Sequence, residues 1–157
     1  MTELIFRPLR QDDEEGVRDF FSRLGDSGSA FFNHGRGNER RTMGFFENGK
    51  PDHRFFVSCI PGDPTPAGLC FIWDVDSSVP WLGIAVREDC RGMHVGSFTL
   101  DRLISYVRER GCGGLLLTTA QTNFPAQRLY ESRGFERLGV YHDGEYVYIR
   151  RFPAPNI

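Results

Sequence analysis

The chain is nearly without lysine: Lys50 is the only one among 19 lysine and arginine side chains. The arginine bias reads as base composition and carries no functional weight. Charge of one sign is not in excess either. A formal net charge of -2 over 157 residues gives no general attraction to nucleic acid or to an anionic membrane surface. The four cysteines, Cys59, Cys70, Cys90 and Cys112, form no C-x-x-C pair. Zinc or redox motifs need such close spacing, so the thiols read as free groups in a reducing compartment, and no metal is expected. No apolar run approaches the roughly 20 residues of a membrane helix. The opening stretch MTELIFRPLRQDDEEG lacks a basic segment followed by an apolar core, so no signal peptide is expected. Together these absences predict a cytoplasmic protein that engages neither nucleic acid nor membrane.

What is present is an ordinary globular composition, 39% hydrophobic and 25% charged, enough for one domain over 1–157. Leu4-Ile5-Phe6 begins a strand ending near Pro8. Asp12 and Asp13 then offer caps for a helix with Val17, Phe20, Phe21 and Leu24 on one face, stopped by Gly25. Residues 26–50 are broken by Gly28, Gly35 and Gly37, with a short helix expected over Arg40–Phe46. Strands follow at Arg54–Ile60, Ala67–Val75 and Trp81–Val86, separated by turn-rich segments. Leu100, Leu103, Ile104 and Val107 then repeat at helical spacing in a helix from Val95 to Arg110. Leu115–Thr119 is a compact apolar strand, Pro125–Arg133 a short helix closed by Gly134, and Phe135–Tyr141 and Tyr146–Phe152 a hairpin about Asp143-Gly144. This order predicts an α/β fold with a mixed sheet and helices on its faces.

The first chemical signal is Arg91-Gly92-Met93-His94-Val95-Gly96-Ser97, between a strand and an amphipathic helix. Such a turn bares backbone N–H groups at a helix N-terminus, where the dipole favours anions and glycines admit a close phosphate. Arg91 can add charge-assisted hydrogen bonds. The loop holds no lysine, so it is not a P-loop, and Gly92 and Gly96 do not supply G-x-G-x-x-G. Alone, it leaves a plain strand-to-helix turn open as the alternative.

A second segment decides between these readings. Residues Trp81 to Ser97 resemble the signature of the GNAT superfamily of N-acetyltransferases, whose loop is written R/Q-x-x-G-x-G/A. Arg91 and Gly96 match, and His94 stands where the first glycine is usual. The run Asn123-Phe124-Pro125-Ala126-Gln127-Arg128-Leu129-Tyr130-Glu131-Ser132-Arg133-Gly134-Phe135 is similar to that family's N-x-x-A-x-x-x-Y-x-x-x-G-F segment at every named position. The resemblance implies a GNAT-type acyl-CoA N-acyltransferase fold, with a mixed, mostly antiparallel sheet of about seven strands flanked by helices. It further implies acetyl-CoA as co-substrate and a small-molecule or peptide amine as acceptor, in a monomer or homodimer. The alternative is a non-catalytic acetyl-CoA-binding or sensor module of the same fold. By the same resemblance, strands Trp81–Val86 and Leu115–Thr119 splay, and backbone groups of Ile84, Ala85 and Val86 pair with the pantetheine arm. The Val86 N–H would polarise the thioester carbonyl. Residues Arg91, Gly92, Met93, His94, Val95, Gly96 and Ser97 would hold the diphosphate, with Asn123, Ala126 and Tyr130 beside the arm.

Tyr130 is the expected general acid, because a phenol stays protonated at neutral pH and can give its proton to a thiolate. Packing on the helix face beside Ala126 and Leu129 is the structural alternative. Asn123 is either a helix cap or a pantetheine contact. Asp74, Asp76 and Glu88 are the candidate bases, with Asp74 and Glu88 preferred, and His34 and His142 are further candidates. The aromatic and polar segment Phe31–Asn38 either lines the acceptor pocket or plugs the core. No cysteine has an activating histidine nearby in sequence, so direct transfer without an acyl-enzyme is expected.

Overall fold

The computed structural model describes residues 3–33, 37–48 and 53–153. Its sheet contains β1 (Ile5–Pro8), β2 (His53–Cys59), β3 (Gly68–Trp73), β4 (Trp81–Val86), β5 (Gly114–Thr119), β6 (Glu136–Val140) and β7 (Tyr146–Arg151). The spatial order is β1-β2-β3-β4-β5-β7-β6. Every neighbouring pair is antiparallel except β4 and β5, which run parallel and are joined through a helix. Three helices, α1 (Glu14–Ser22), α2 (Gly25–Asn33) and α3 (Asn38–Asn48), connect β1 to β2. Helix α4 (Val95–Glu109) carries the crossover, and α5 (Phe124–Ser132) links β5 to β6. The mixed, mostly antiparallel α/β sheet is the one the sequence predicts.

Period-two alternation sorts the strands' side chains into two cores. Phe55, Val57, Leu69 and Phe71 face Val17, Phe20, Phe21 and Leu24, from α1 and the turn that follows it. Phe56, Cys70 and Ile72 face Leu100, Leu103 and Val107 of α4. Both faces of the central strands are therefore covered, which explains why β3 reads as an unbroken apolar run and is buried from Gly68 to Ile72.

Three local expectations change. Gly25 does not end the helical region: α1 stops at Ser22, and Gly25, at φ 76°, turns the chain directly into α2. The glycine suits this left-handed turn, which would strain any other residue, and the Glu88 carboxylate lies over it. The expected Arg40–Phe46 helix extends over Asn38–Asn48. Asp13 makes no side-chain cap to α1; its carboxylate takes a two-pronged contact from Arg7, at 2.8 and 2.7 Å, and the Arg10 N–H at 2.7 Å. Burial works to raise the Asp13 carboxyl, but these bonds outweigh it and hold it below the ordinary carboxylate range.

The fold should be sensitive to truncation in β5, where Leu115 and Leu117 are almost fully buried. Leu117→Ala should lower the unfolding free energy by about 3 kcal/mol, the sum of lost transfer and cavity terms. Urea denaturation followed by circular dichroism checks this, and a loss below about 1 kcal/mol would mean the strand is less tightly enclosed.

Candidate active site

The site begins where the sheet opens. Strands β4 and β5 share one ladder pair, Trp81 with Leu116, although each is fully paired on its other side. The pair is pinned at its start by Leu116 N–H to Pro80 O at 2.9 Å and Gly113 N–H to Ser78 O at 2.7 Å. Beyond Leu82 the two strands have no further ladder pair. Arg87 N–H donates to Ala67 O at 2.9 Å, and the register opposes Val86 to Gly68. The alternation of an antiparallel ladder therefore turns the backbone groups of Ile84 and Val86 away from β3, into the split. The same alternation gives those of Ala85 to Leu69 of β3. Ala85 lines the split, but its backbone is already paired, in contrast to the expectation for it.

The loop after β4 brings a helix start to the mouth of this split. Arg91 N–H donates to Glu88 O and Met93 N–H to Cys90 O, each at 3.2 Å. These two bonds form the turn and use up two of the loop's amides. His94 then adopts φ 62°, ψ 19°, the left-handed conformation in which a non-glycine residue carries strain. Its side chain is exposed. Phe98 is the first amide to bond into the helix, to His94 O at 3.0 Å, and no side chain caps the helix start. The N–H groups of Val95, Gly96 and Ser97 are thus the orphan donors of α4, at its positive dipole end. Gly96 borders the cavity and packs closely on α5, where a Cβ would meet Leu129 at 3.3 Å. One guanidinium N–H of Arg91 donates to Leu24 O at 2.8 Å and lies over Gly28, so this arginine ties the loop to α2.

Helix α5 forms the opposite wall. Asn123 Oδ1 accepts the Ala126 N–H at 3.4 Å, so the side chain does act as an N-cap, and it also borders the cavity. Gln127 Nε2 donates to Ala120 O and Gln121 O at 3.1 and 3.0 Å, fastening the helix to the turn after β5. Gly134, at φ 83°, ends the helix with its N–H on Glu131 O. Held in this way, Tyr130 is 6% exposed, packs on Phe135 and Tyr148 at ring distances of 5.8 and 6.2 Å, and still borders the cavity. Packing and access are both satisfied. Burial first, and the nearby Glu145 charge second, push its phenol above the ordinary tyrosine value.

These parts surround one cavity of about 850 Å³, within the size range of small-molecule sites. Ile84, Ala85 and Val86 border it, as do Arg91, Gly92, His94, Val95, Gly96, Ser97, Asn123, Ala126 and Tyr130. Met93 does not: it is turned outward and 38% exposed. Asp74, Asp76 and Glu88 are exposed and lie outside the lining. Asp74 and Asp76 sit in the turn after β3, and Glu88 is drawn over Gly25 by the short helical turn after β4. His142 is exposed on the β6–β7 turn, its ring tilted against Tyr141 at 4.1 Å. His34 falls outside the described residues. Of the segment Phe31–Asn38, Phe31, Phe32 and Asn38 border the cavity, and Phe32 also joins the core.

The carboxylate that the cavity does contain is Glu145, 5% exposed at the foot of β7. Its backbone N–H bonds Asp143 Oδ1 at 3.0 Å, and its carbonyl takes the Tyr141 N–H at 2.7 Å, which closes the hairpin turn. Sequence reasoning overlooked it because a glutamate after Asp-Gly looks like a solvated turn residue. The faint signal was its place at the head of the apolar run Tyr146-Val147-Tyr148.

A model of the acetyltransferase (GNAT) family matches residues 14–135. The chain belongs to that family. Among curated relatives, it is 30% identical over 81 residues to a putative [ribosomal protein bS18]-alanine N-acetyltransferase of Bacillus subtilis, covering 52% of this chain and 54% of the relative. It is 34% identical over 77 residues to the mycothiol acetyltransferase of Thermomonospora curvata, covering 49% of this chain and 22% of the relative. The chain thus spans about half or less of the length of these relatives. Among solved structures, a domain from Methanocaldococcus jannaschii superposes with TM-score 0.79 at 15% identity, over 97% of this chain and all of the other. The PaiA N-acetyltransferase of Thermoplasma acidophilum, in complex with coenzyme A, gives 0.75 at 11% identity, over 96% and 99%. At such identities these neighbours establish the fold. The loop of this chain carries a histidine at a left-handed position.

His94→Gly should therefore leave coenzyme A affinity within about twofold and raise stability by up to about 1 kcal/mol, whereas the β-branched His94→Val should lower both. Thermal melts with and without coenzyme A measure the pair. Equal melting points for all three proteins would show that the left-handed turn carries no strain.

Proposed function

We propose that this chain transfers an acetyl group from acetyl-CoA to a primary amine, directly and within a ternary complex. The observation that supports this most is the convergence on one cavity of an uncapped helix start, an open strand edge, a buried phenol and a buried carboxylate. Their chemistry fits the group to be held. The Val95, Gly96 and Ser97 amides suit a diphosphate. The alternating groups of Ile84 and Val86 suit the amides of pantetheine, as an added strand does. A Val86 N–H aimed at the carbonyl oxygen would stabilise the negative charge that develops there.

In this reading Glu145 accepts the proton of the attacking amine as the new C–N bond forms. Tyr130 gives its proton to the sulfur as the C–S bond breaks, and exchange with water restores both groups. The raised phenol stays protonated across the working pH range. Its proton is therefore in place when the thiolate leaves. Cys90 is the cysteine in the cavity wall, and burial pushes its thiol up. That makes it a poor nucleophile and favours direct transfer over an acyl-enzyme. The relatives' names as acetyltransferases support the same reading.

Tyr130→Phe should lower kcat by about 10²-fold or more while leaving the acetyl-CoA Kd within about twofold. Glu145→Gln should lower kcat comparably. Coenzyme A release with a thiol reagent measures both. Unchanged turnover in either variant removes that residue from the chemistry. Gly96→Leu should instead weaken acetyl-CoA binding by about tenfold or more by filling the approach to the helix start.

A further inference from the structure

The loop that opens α4 is bound to the other side of the cavity as well. Glu88 N–H donates to Arg23 O at 2.9 Å, and an Arg91 guanidinium N–H donates to Leu24 O, the carbonyl just before α2, at 2.8 Å. Two glycines let the loop lie this close. The Glu88 carboxylate rests over Gly25, and the Arg91 guanidinium rests over Gly28, where a Cβ would displace it. The sequence predicts Arg91 as a ligand of the diphosphate; in the structure its guanidinium is turned to α2.

Helix α2 needs that support. Gly25, Asp26, Ser27, Gly28 and Ser29 are poor helix formers, and a helix of 9 residues is too short to hold itself. At its far end Phe32 is held in the core by Phe21 and Phe71, at ring distances of 6.1 and 6.0 Å. Its first turn has no apolar side chain to bury, and the two hydrogen bonds from the loop anchor that end. Phe31 and Phe32 of this helix border the cavity together with Phe71 and Trp73, apart from the amides and strand edge that suit the donor. The Val95, Gly96 and Ser97 amides follow Arg91 through a turn closed by its own hydrogen bonds. A ligand that fixes those amides also fixes the base of the Arg91 side chain.

Taking the proposed acetyl transfer as given, we propose that Arg91 is a positioning residue for the acceptor. It passes occupancy of the diphosphate loop to α2, so that a bound donor firms the Phe31–Phe32 wall of the space left for the amine.

Amide hydrogen exchange of α2 is followed by mass spectrometry on the full chain, with and without saturating coenzyme A, and affinity is measured separately by calorimetry. In the unaltered protein, coenzyme A should slow α2 exchange by about fivefold or more, the worth of one hydrogen bond made firm. Arg91→Met should keep the coenzyme A Kd within about threefold and lose most of that slowing. Arg91→Lys, which keeps a donor able to reach the carbonyl, should recover it in part. Gly28→Ala gives α2 the better helix sequence but puts a Cβ where the guanidinium rests. It should lose the slowing too, with no further loss in the double variant. Full slowing in Arg91→Met or Gly28→Ala, or none in the unaltered protein, overturns the coupling. A Kd weakened about tenfold or more in Arg91→Met makes Arg91 a diphosphate ligand, against the assignment. Failure of the unaltered protein to bind coenzyme A, which calorimetry registers apart from exchange, sinks the acetyl-transfer reading and this inference with it.

Discussion

Strands β4 and β5 run side by side but share a single ladder pair, Trp81 with Leu116. Buried backbone groups are normally satisfied, so an opened strand pair inside a sheet carries a cost. The chain meets that cost by making each strand the firm edge of its own sub-sheet. β3 pairs with β4 along its full length, and β7 does the same for β5. The α4 crossover spans the opening, with Leu100, Leu103 and Val107 fully packed beneath it. What remains is a rigid slot with unused donors and acceptors on its wall. A ligand that adds a strand there completes the sheet, so binding should add to stability by ordinary linkage.

The other functional groups inherit their positions from that slot. The helix that spans it begins at its mouth, which aims the Val95–Ser97 amides across the opening. Helix α5 follows β5 directly, and Gln127 fastens its first turns to Ala120 and Gln121. Tyr130 is therefore carried to the β5 wall by a short, doubly tethered element. Glu145 arrives from the far side, on the hairpin that brings β7 back against β5. Tyr130 and Glu145 come from separate elements on the same half of the split sheet, and the phenol is raised by burial first and by the Glu145 charge second.

Much of this was legible before any coordinates. The bounds of β4 and the start of α4 follow from hydrophobic periodicity and flanking glycines, and the two motif segments order the cavity's donor side. The acceptor side was harder to read. Helix α2 has the sequence Gly25-Asp26-Ser27-Gly28-Ser29-Ala30-Phe31-Phe32-Asn33, poor in helix formers, and it exists because Phe32 is gripped between Phe21 and Phe71. Tertiary contacts of that kind leave no local trace. The candidate bases lie outside the cavity lining for a related reason: Asp74 and Glu88 flank the cavity's strands in sequence, but the turns that follow those strands swing them to the surface. Glu145 lies far from them in sequence and reaches the cavity only through the β7 pairing.

The central claim is that the α4 start grips a diphosphate and thereby lays a thioester arm along the open edge of β4. A crystal structure of the protein with coenzyme A tests it most directly. The account predicts diphosphate oxygens within hydrogen-bond reach of the Val95, Gly96 and Ser97 amides, pantetheine paired with Ile84 and Val86, and the sulfur beside the Tyr130 hydroxyl. A diphosphate bound elsewhere, or a sulfur remote from Tyr130, would contradict it.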